Sequence, residues 1–115
     1  MKPNQQNRTM AKQKMHQKAI QIQPENILLL EGRVNYTYIH TNSGKFIFAK
    51  TLKSFEDSLD SSQFIRTHKS HIVNKTHVKS TFFTGSQGIL KLNSGKEIDV
   101  SRRRLKEVQN FFRKH

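Results

Sequence analysis

The residues best suited to chemistry lie near the middle of the sequence, where cationic and hydrogen-bonding side chains are flanked by apolar pairs. Phe64 and Ile65 precede this group, and Ile72 and Val73 follow it. No acidic residue occurs between positions 64 and 74. Uncompensated positive charge at fixed positions favours an anionic partner, and nucleic-acid phosphate is the most abundant repeating anion in a cell. The segment therefore predicts a phosphate-binding loop that contains Arg66, His68, Lys69, Ser70 and His71.

A second cationic group is the run of three arginines, 102–104, directly after Ser101. Leu105, Val108 and Phe112 recur at helical spacing behind it, so Ser101 is the expected N-cap of a helix. Arginines in a first helical turn oppose the helix dipole by about 0.3 to 1 kcal/mol each unless an anion binds there. We interpret them as phosphate contacts, one of which could instead reach a guanine edge. The alternative is that they extend into water.

Three histidines and one serine raise the question of a metal site or a catalytic site. His68 and His71 are three positions apart, and in a loop that runs into a strand such positions face opposite ways. His77 is the third histidine, but no cysteine and no nearby acid completes a metal site. Ser70 lacks the orienting acid and the oxyanion site that a nucleophile requires. We therefore predict no metal, no cofactor and no enzymatic activity.

The net charge of +13 over 115 residues is concentrated in parts of the chain. Residues 1–18 contain five Lys or Arg and no acid, and residues 61–82 contain four and no acid. Residues 101–115 contain six against one acid, whereas the remainder is close to neutral. We interpret residues 1–18 as a disordered basic arm, either a solvated tail or an additional phosphate contact. Residues 19–115 are the expected folded domain.

Apolar patterning predicts a mainly β fold with one short central helix and one C-terminal helix. Leu52, Phe55 and Leu59 follow helical spacing behind Thr51, a suitable cap. Turn residues at 42–45 and 93–96 indicate antiparallel hairpins. Strands are predicted at positions 27–30, 34–40, 46–48, 78–83, 89–92 and 97–100, with a short edge strand near position 20.

The aromatic residues allow two interpretations. A domain of this size needs most of its aromatics for its own interior. The alternative is a surface on which bases stack, which would make the chain an RNA-binding or single-strand-binding β domain. The aromatics concerned are Tyr36, Tyr38, Phe46, Phe48, Phe82 and Phe83.

Asn35, in the turn after Gly32, has an amide that can read adenine, contact phosphate or serve only the turn.

The remaining sequence features concern the cellular compartment. The chain has no cysteine, no apolar run of about 18 residues and no apolar segment of the kind that a secretory signal requires. We expect a cytoplasmic protein that does not contact the membrane.

Five short motifs follow one another along the sequence. The most specific is Phe-x-Arg-x-His-x-Ser-x-x-Val-Asn at positions 64–74, and the others lie at positions 29–32, 35–41, 51–56 and 93–103. In this order they resemble the LytTR DNA-binding domain of bacterial transcription regulators, and the resemblance extends from about position 27 to position 112.

The resemblance implies elongated, mainly antiparallel β-sheets whose loops enter successive major grooves of promoter DNA without a recognition helix. It implies contacts from Asn35 or Tyr36, from Lys69 with His68 and Ser70, and from Arg103 with Arg102. Arg66 and Arg104 are expected to add phosphate contacts. Most family members carry a receiver domain and this sequence contains none, so we expect an unknown regulatory partner. Repeated half-sites would suit a homodimer on DNA.

Overall fold

The computed structural model describes residues 22–113, which form eight strands in two antiparallel sheets and two α-helices. The strands of the first sheet are β1 Ile27–Gly32, β2 Thr37–Thr41, β3 Gly44–Phe48, β4 Phe64–His68 and β5 His71–Asn74. The other elements are β6 Val78–Phe83, β7 Gly88–Leu92, β8 Glu97–Val100, α1 Leu52–Ser58 and α2 Leu105–Arg113. The first sheet has the strand order β3-β2-β1-β5-β4, and the second has the order β6-β7-β8.

The first sheet is the middle layer of the molecule, because adjacent apolar residues in its strands belong to two different cores. Successive side chains of a strand point to opposite faces of the sheet. Leu30, Phe64 and Ile72 pack with Leu52 and Phe55 of α1. The neighbouring residues Leu29, Ile65 and Val73 pack instead with β7, β8 and α2, through Leu90, Leu92, Ile98, Val100, Leu105 and Val108. The continuous apolar runs are therefore strands buried on both faces.

Helix α1 follows its predicted pattern. The Thr51 side chain accepts a hydrogen bond from the Ser54 backbone N–H at 3.2 Å, as an N-cap does. On the buried side, the Phe55 ring meets Phe48 edge to face, with 5.7 Å between centroids. A Cβ atom added at Gly32 would lie 3.0 Å from the Leu52 Cβ, so the start of α1 packs closely against the end of β1.

Asn74 joins the end of the long motif to the start of the sheet. Its side chain is 2% exposed, and its amide nitrogen donates to the Ile27 carbonyl at 2.9 Å. Its side-chain oxygen accepts from the Thr76 N–H at 3.0 Å. Both ends of this buried amide therefore have partners, and the asparagine at the end of the motif is structural.

The predicted class and element types are confirmed, with three corrections. Strand β2 begins at Thr37 and not at Val34, because residues 33–36 form the connection from β1. The predicted loop at the centre of the motif is a hairpin of β4 and β5 with a turn at Lys69 and Ser70. Ser101 does not cap a helix through its side chain.

The aromatic residues divide between core and surface. Phe48 is buried at 1% exposure, as expected of a core residue. Tyr36 and Phe82 are 37% and 58% exposed, so for these two the interpretation as core is wrong.

The basic arm at residues 1–18 and the edge strand near position 20 lie outside the described residues. Within residues 22–113, no helix has the length and hydropathy needed to span a bilayer.

Candidate nucleic-acid interface

The hairpin of β4 and β5 is the point to which the other predicted contact segments are attached. The Gly32 N–H, at the start of the β1–β2 connection, donates to the Ser70 carbonyl at 2.8 Å. The Ser101 N–H, directly before the arginine run, donates to the Thr67 carbonyl at 2.9 Å. Backbone hydrogen bonds thus hold the β1–β2 connection and the arginine segment beside the same end of β4.

All three guanidinium nitrogens of Arg66 have partners, two of them in the β4–β5 hairpin and one on α1. Nη1 lies 2.6 Å from Glu56 Oε1, while Nε donates to the His68 carbonyl at 2.9 Å and Nη2 to the Lys69 carbonyl at 2.6 Å. Only 14% of this side chain is exposed. The prediction that no acid balances this segment is wrong, because Glu56 of α1 reaches it from ten positions earlier.

His68 also stabilises the turn. The Ser70 N–H donates to His68 Nδ1 at 3.1 Å, so the other ring nitrogen, Nε2, is the one that can donate. The expectation that His68 and His71 face opposite ways is wrong, since a tight turn makes them cross-strand partners with ring centroids 5.6 Å apart. Lys69, between them, is exposed. Its side chain is the cation that this turn presents outward.

The β1–β2 connection is a second tight turn. The Arg33 N–H donates to the Tyr36 carbonyl at 2.8 Å, so Val34 and Asn35 form the tip between them. Residues 33–36 are all exposed. The Tyr36 ring rests edge to face against Tyr38, with 5.5 Å between centroids. The predicted contact residues Asn35 and Tyr36 therefore belong to a closed turn and not to a loose loop.

Below this turn lies a small polar cluster around Glu31. One carboxylate oxygen lies 2.9 Å from His40 Nε2, and the other lies 3.2 Å from Arg33 Nη1. The Arg33 guanidinium also lies over the Tyr38 ring, 5.2 Å from its centroid. Burial raises the pKa of Glu31, but the hydrogen bond from His40 and the charge of Arg33 outweigh it, and the net pKa is lowered. Glu31 is therefore an ionised anchor for Arg33.

His71 faces Glu31 across the strands. Burial lowers the pKa of His71, and the charge of Glu31 offsets this only in part. Its Nδ1 atom is buried without a hydrogen-bond partner among residues 22–113. The neutral ring is the favoured form, so His71 is a poor candidate for a phosphate contact.

The arginine run differs from the prediction in its backbone. Arg102–Arg104 form a short 3₁₀ helix, and the Arg104 N–H donates to the Ser101 carbonyl at 3.0 Å. The Ser101 hydroxyl is buried and has no hydrogen-bond partner in the described part of the chain. Arg102 and Arg103 are exposed, whereas Arg104 is partly buried. The run thus directs two guanidinium groups outward from a turn that precedes α2.

Comparison with known sequences identifies the domain. A family profile described as the LytTr DNA-binding domain matches residues 17–113. The chain belongs to this family. The predicted family, the predicted fold and the prediction of DNA binding are confirmed.

Two similar proteins are longer than this chain. The CO-responsive transcriptional regulator RcoM of Rhodospirillum rubrum is 33% identical over 69 residues, which are 60% of this chain and 29% of RcoM. The transcriptional regulatory protein LytR of Staphylococcus aureus is 28% identical over 90 residues, 76% of this chain and 36% of LytR. The chain thus spans about a third of the length of these relatives.

A solved structure supports the same fold. The LytTr DNA-binding domain of a putative methyl-accepting/DNA response regulator from Bacillus cereus superposes with a TM-score of 0.77 at 26% identity. The superposition covers 86% of this chain and 92% of that chain.

The LytTR domain also contains a groove that sequence reasoning missed. It has a volume of about 590 Å³ and lies between the β1–β2 turn, the start of α1 and the β4–β5 turn. Arg33 and Lys53 are the cations that the sequence analysis did not select. Lys53 reaches the groove because its neighbour Leu52 packs closely on Gly32. No sequence pattern predicts the contact between Leu52 and Gly32. The lining residues that carry the later arguments are Arg33, Val34, Tyr36, Lys53, Lys69 and Ser70.

The histidines of the domain are not assembled as a metal site. His77 Nε2 lies 2.8 Å from the Glu25 carbonyl, so this ring is held by the segment before β1. Among the residues described, no group of three or more His, Cys, Asp or Glu side chains could hold a metal ion.

Proposed function

We propose that this LytTR domain binds duplex DNA sequence-specifically in bacterial transcription regulation, with three turns entering successive major grooves. One observation carries the proposal: the hydrogen bonds Gly32 to Ser70 and Ser101 to Thr67 attach the other two cationic segments to the β4–β5 hairpin. A single duplex could meet all three turns if their exposed side chains share that end of β4.

Chain geometry supports this arrangement. Asn35 is three residues from Gly32, Lys69 two from Thr67, and Arg103 two from Ser101. Each contact residue therefore lies within about 11 Å of the hydrogen bond that anchors its segment. Thr67 and Ser70, the two anchor positions, are themselves only three residues apart, so the three turns lie close enough together to face one stretch of duplex.

The proposed contacts fall into two groups. Arg103, Lys69 and either Asn35 or Tyr36 read base edges, because they are exposed in the three turns. Phosphate contacts position the domain on the backbone and come from Arg102, Arg104 and the newly found Lys53, whose exposed ammonium group lies 3.3 Å from Asp57 Oδ1. His68 and Ser70 complete the turn around Lys69. Arg66 was predicted as a phosphate contact, and we now assign it to holding that turn.

The proposal extends to the wider role of the protein. We propose a non-enzymatic domain that acts in the cytoplasm, where bacterial DNA lies. Its regulatory input would come from an unknown partner. Two copies would bind repeated half-sites as a homodimer.

The test is selection of bound duplexes from a random pool, followed by a competition titration. We expect the selected duplex to be preferred at least about a thousandfold over a shuffled duplex of the same composition, as is typical of specific sites. Single-stranded RNA and DNA of the same sequence should compete poorly. Equal affinity for selected and shuffled duplexes would refute the proposal, and a preference for single strands would favour the alternative.

Oligomeric state on DNA is tested with the same duplex. Half-site spacing is varied by five base pairs, half a helical turn. A homodimer should lose cooperative binding when the second half-site rotates to the opposite face. Unchanged affinity at every spacing would indicate independent monomers.

A further inference from the structure

Val34 is the most exposed of the large hydrophobic side chains noted in residues 22–113. It is 86% exposed, compared with 58% for Phe82 and 48% for Ile47. Single exposed apolar residues are common on protein surfaces and need no function. Its location is what distinguishes Val34, because it shares the tip of the β1–β2 turn with Asn35.

The turn that carries Val34 is held at its base. The Arg33 N–H bonds to the Tyr36 carbonyl, and the Gly32 N–H bonds to the Ser70 carbonyl, both at 2.8 Å. A side chain on a backbone that is already fixed loses little conformational freedom when it meets a ligand. Val34 is therefore presented in a set position and is not part of a flexible loop.

The neighbours of Val34 indicate which surface it would meet. Val34 and Lys69 line the same groove, so the turn tip lies beside a residue that the proposed function places at the base edges. Arg33 is drawn back to Glu31, 3.2 Å from its carboxylate. The outermost side chains of the turn are thus one valine and one asparagine.

These two side chains match the two halves of one base pair. In the major groove thymine presents a C5-methyl group, and adenine presents an acceptor and a donor that an asparagine amide can bind together. We propose that Val34 packs against a thymine methyl group and makes the β1–β2 turn specific for an A·T pair. This inference rests on the proposed function and adds a specificity-determining residue to it.

The experiment replaces single thymines of the selected duplex with deoxyuridine, which removes the methyl group and keeps every base-pairing atom. Affinity is measured for each substituted duplex by fluorescence anisotropy. We expect the unsubstituted protein to bind about fourfold more weakly when deoxyuridine replaces one particular thymine, or either of two adjacent thymines. A fourfold loss of affinity corresponds to one buried methyl group. The other thymines should have no effect.

Two variants connect that loss to Val34. Val34→Ala should bind the unsubstituted duplex about fourfold more weakly and should no longer distinguish thymine from uracil at the sensitive position. Ile47→Ala, which removes an exposed apolar side chain on β3, should retain the full uracil effect. Thermal unfolding of Val34→Ala should match that of the unsubstituted protein, because Val34 is 86% exposed. Ile47→Ala, which removes a half-buried side chain, is compared at a temperature at which it remains folded.

The results of these measurements distinguish a failure of the inference from a failure of the proposed function. The protein could prefer the selected duplex and yet show no uracil effect that depends on Val34. That result would overturn the inference and leave the proposed function intact. Equal binding of selected and shuffled duplexes would overturn both.

Discussion

Arg66 and the run Arg102–Arg104 both lie in cationic segments of the sequence, but they differ in burial and in their partners. Arg66 is 14% exposed and makes contacts to Glu56 and to two carbonyl groups of its own hairpin. Arg102 and Arg103 are exposed, and no ion pair joins either to a described residue. The difference comes from the surroundings: α1 brings a carboxylate to Arg66, whereas the turn before α2 brings none to the arginine run. One region uses cationic charge to build the fold, and the other leaves it available to a ligand.

The largest effect that tests this contrast concerns stability. Arg66→Ala removes three hydrogen bonds and leaves Glu56 without its cation, so we expect the free energy of unfolding to fall by about 2 to 4 kcal/mol. Urea denaturation at neutral pH measures this loss. Arg103→Ala, the matched control, should change stability by less than about 0.5 kcal/mol. Similar losses for the two variants would remove the distinction between a structural arginine and a ligand-binding arginine.

The converse test concerns DNA affinity. Arg103→Ala should weaken binding to the selected duplex by about 1 to 3 kcal/mol and relax the preference at one base pair, because a forked contact to a base edge is lost. Competition binding against the selected and shuffled duplexes measures both effects. Arg113→Ala alters an exposed arginine in the last turn of α2 and should leave affinity unchanged. Equal losses on selected and shuffled DNA would show that Arg103 contacts only phosphate.

The contrast also shows how far the sequence could predict the structure. Strand and helix types follow from local patterning, as with Thr51, whose hydroxyl caps α1. Pairings between distant segments do not. Glu56 and Arg66 lie on separate elements and meet only when α1 packs on the sheet. Lys53 enters the groove for the same reason. The sequence could therefore find the positive charge but could not divide it between framework and surface.

The salt dependence of DNA affinity reports the number of phosphate contacts. Each neutralised phosphate adds about 0.9 to the steepness of the log-log plot of affinity against salt. Arg102→Ala should reduce the slope by about that amount, since we assign this residue to the backbone. Arg66→Gln, which removes the charge at a site that makes no proposed DNA contact, should retain the slope of the unsubstituted protein under conditions in which circular dichroism shows it folded. A loss of slope in folded Arg66→Gln, but not in Arg102→Ala, would reverse the two assignments.

The smallest expected effect is the dependence of stability on pH, which should come from the hairpin region and not from the arginine run. The pKa of His71 is lowered in the fold from 6.5, mainly by burial, so the unfolded chain binds a proton more readily than the folded one. The resulting stability is present above pH 6.5 and is lost as pH falls through the folded pKa. The pKa of Glu31 is also lowered, from 4.5, so its contribution is lost only at still lower pH.

Urea denaturation across this range, with His71→Gln as the variant, separates the two steps. The variant should lose the decline in stability that begins near pH 6.5 and keep the one that begins near pH 4.5, because Glu31 still binds His40 and Arg33. Arg102→Ala, in the segment without acids or histidines, should follow the unsubstituted protein throughout. If His71→Gln retained the upper decline, another histidine would have to be its source, and the lowered pKa of His71 would not explain the pH dependence of stability.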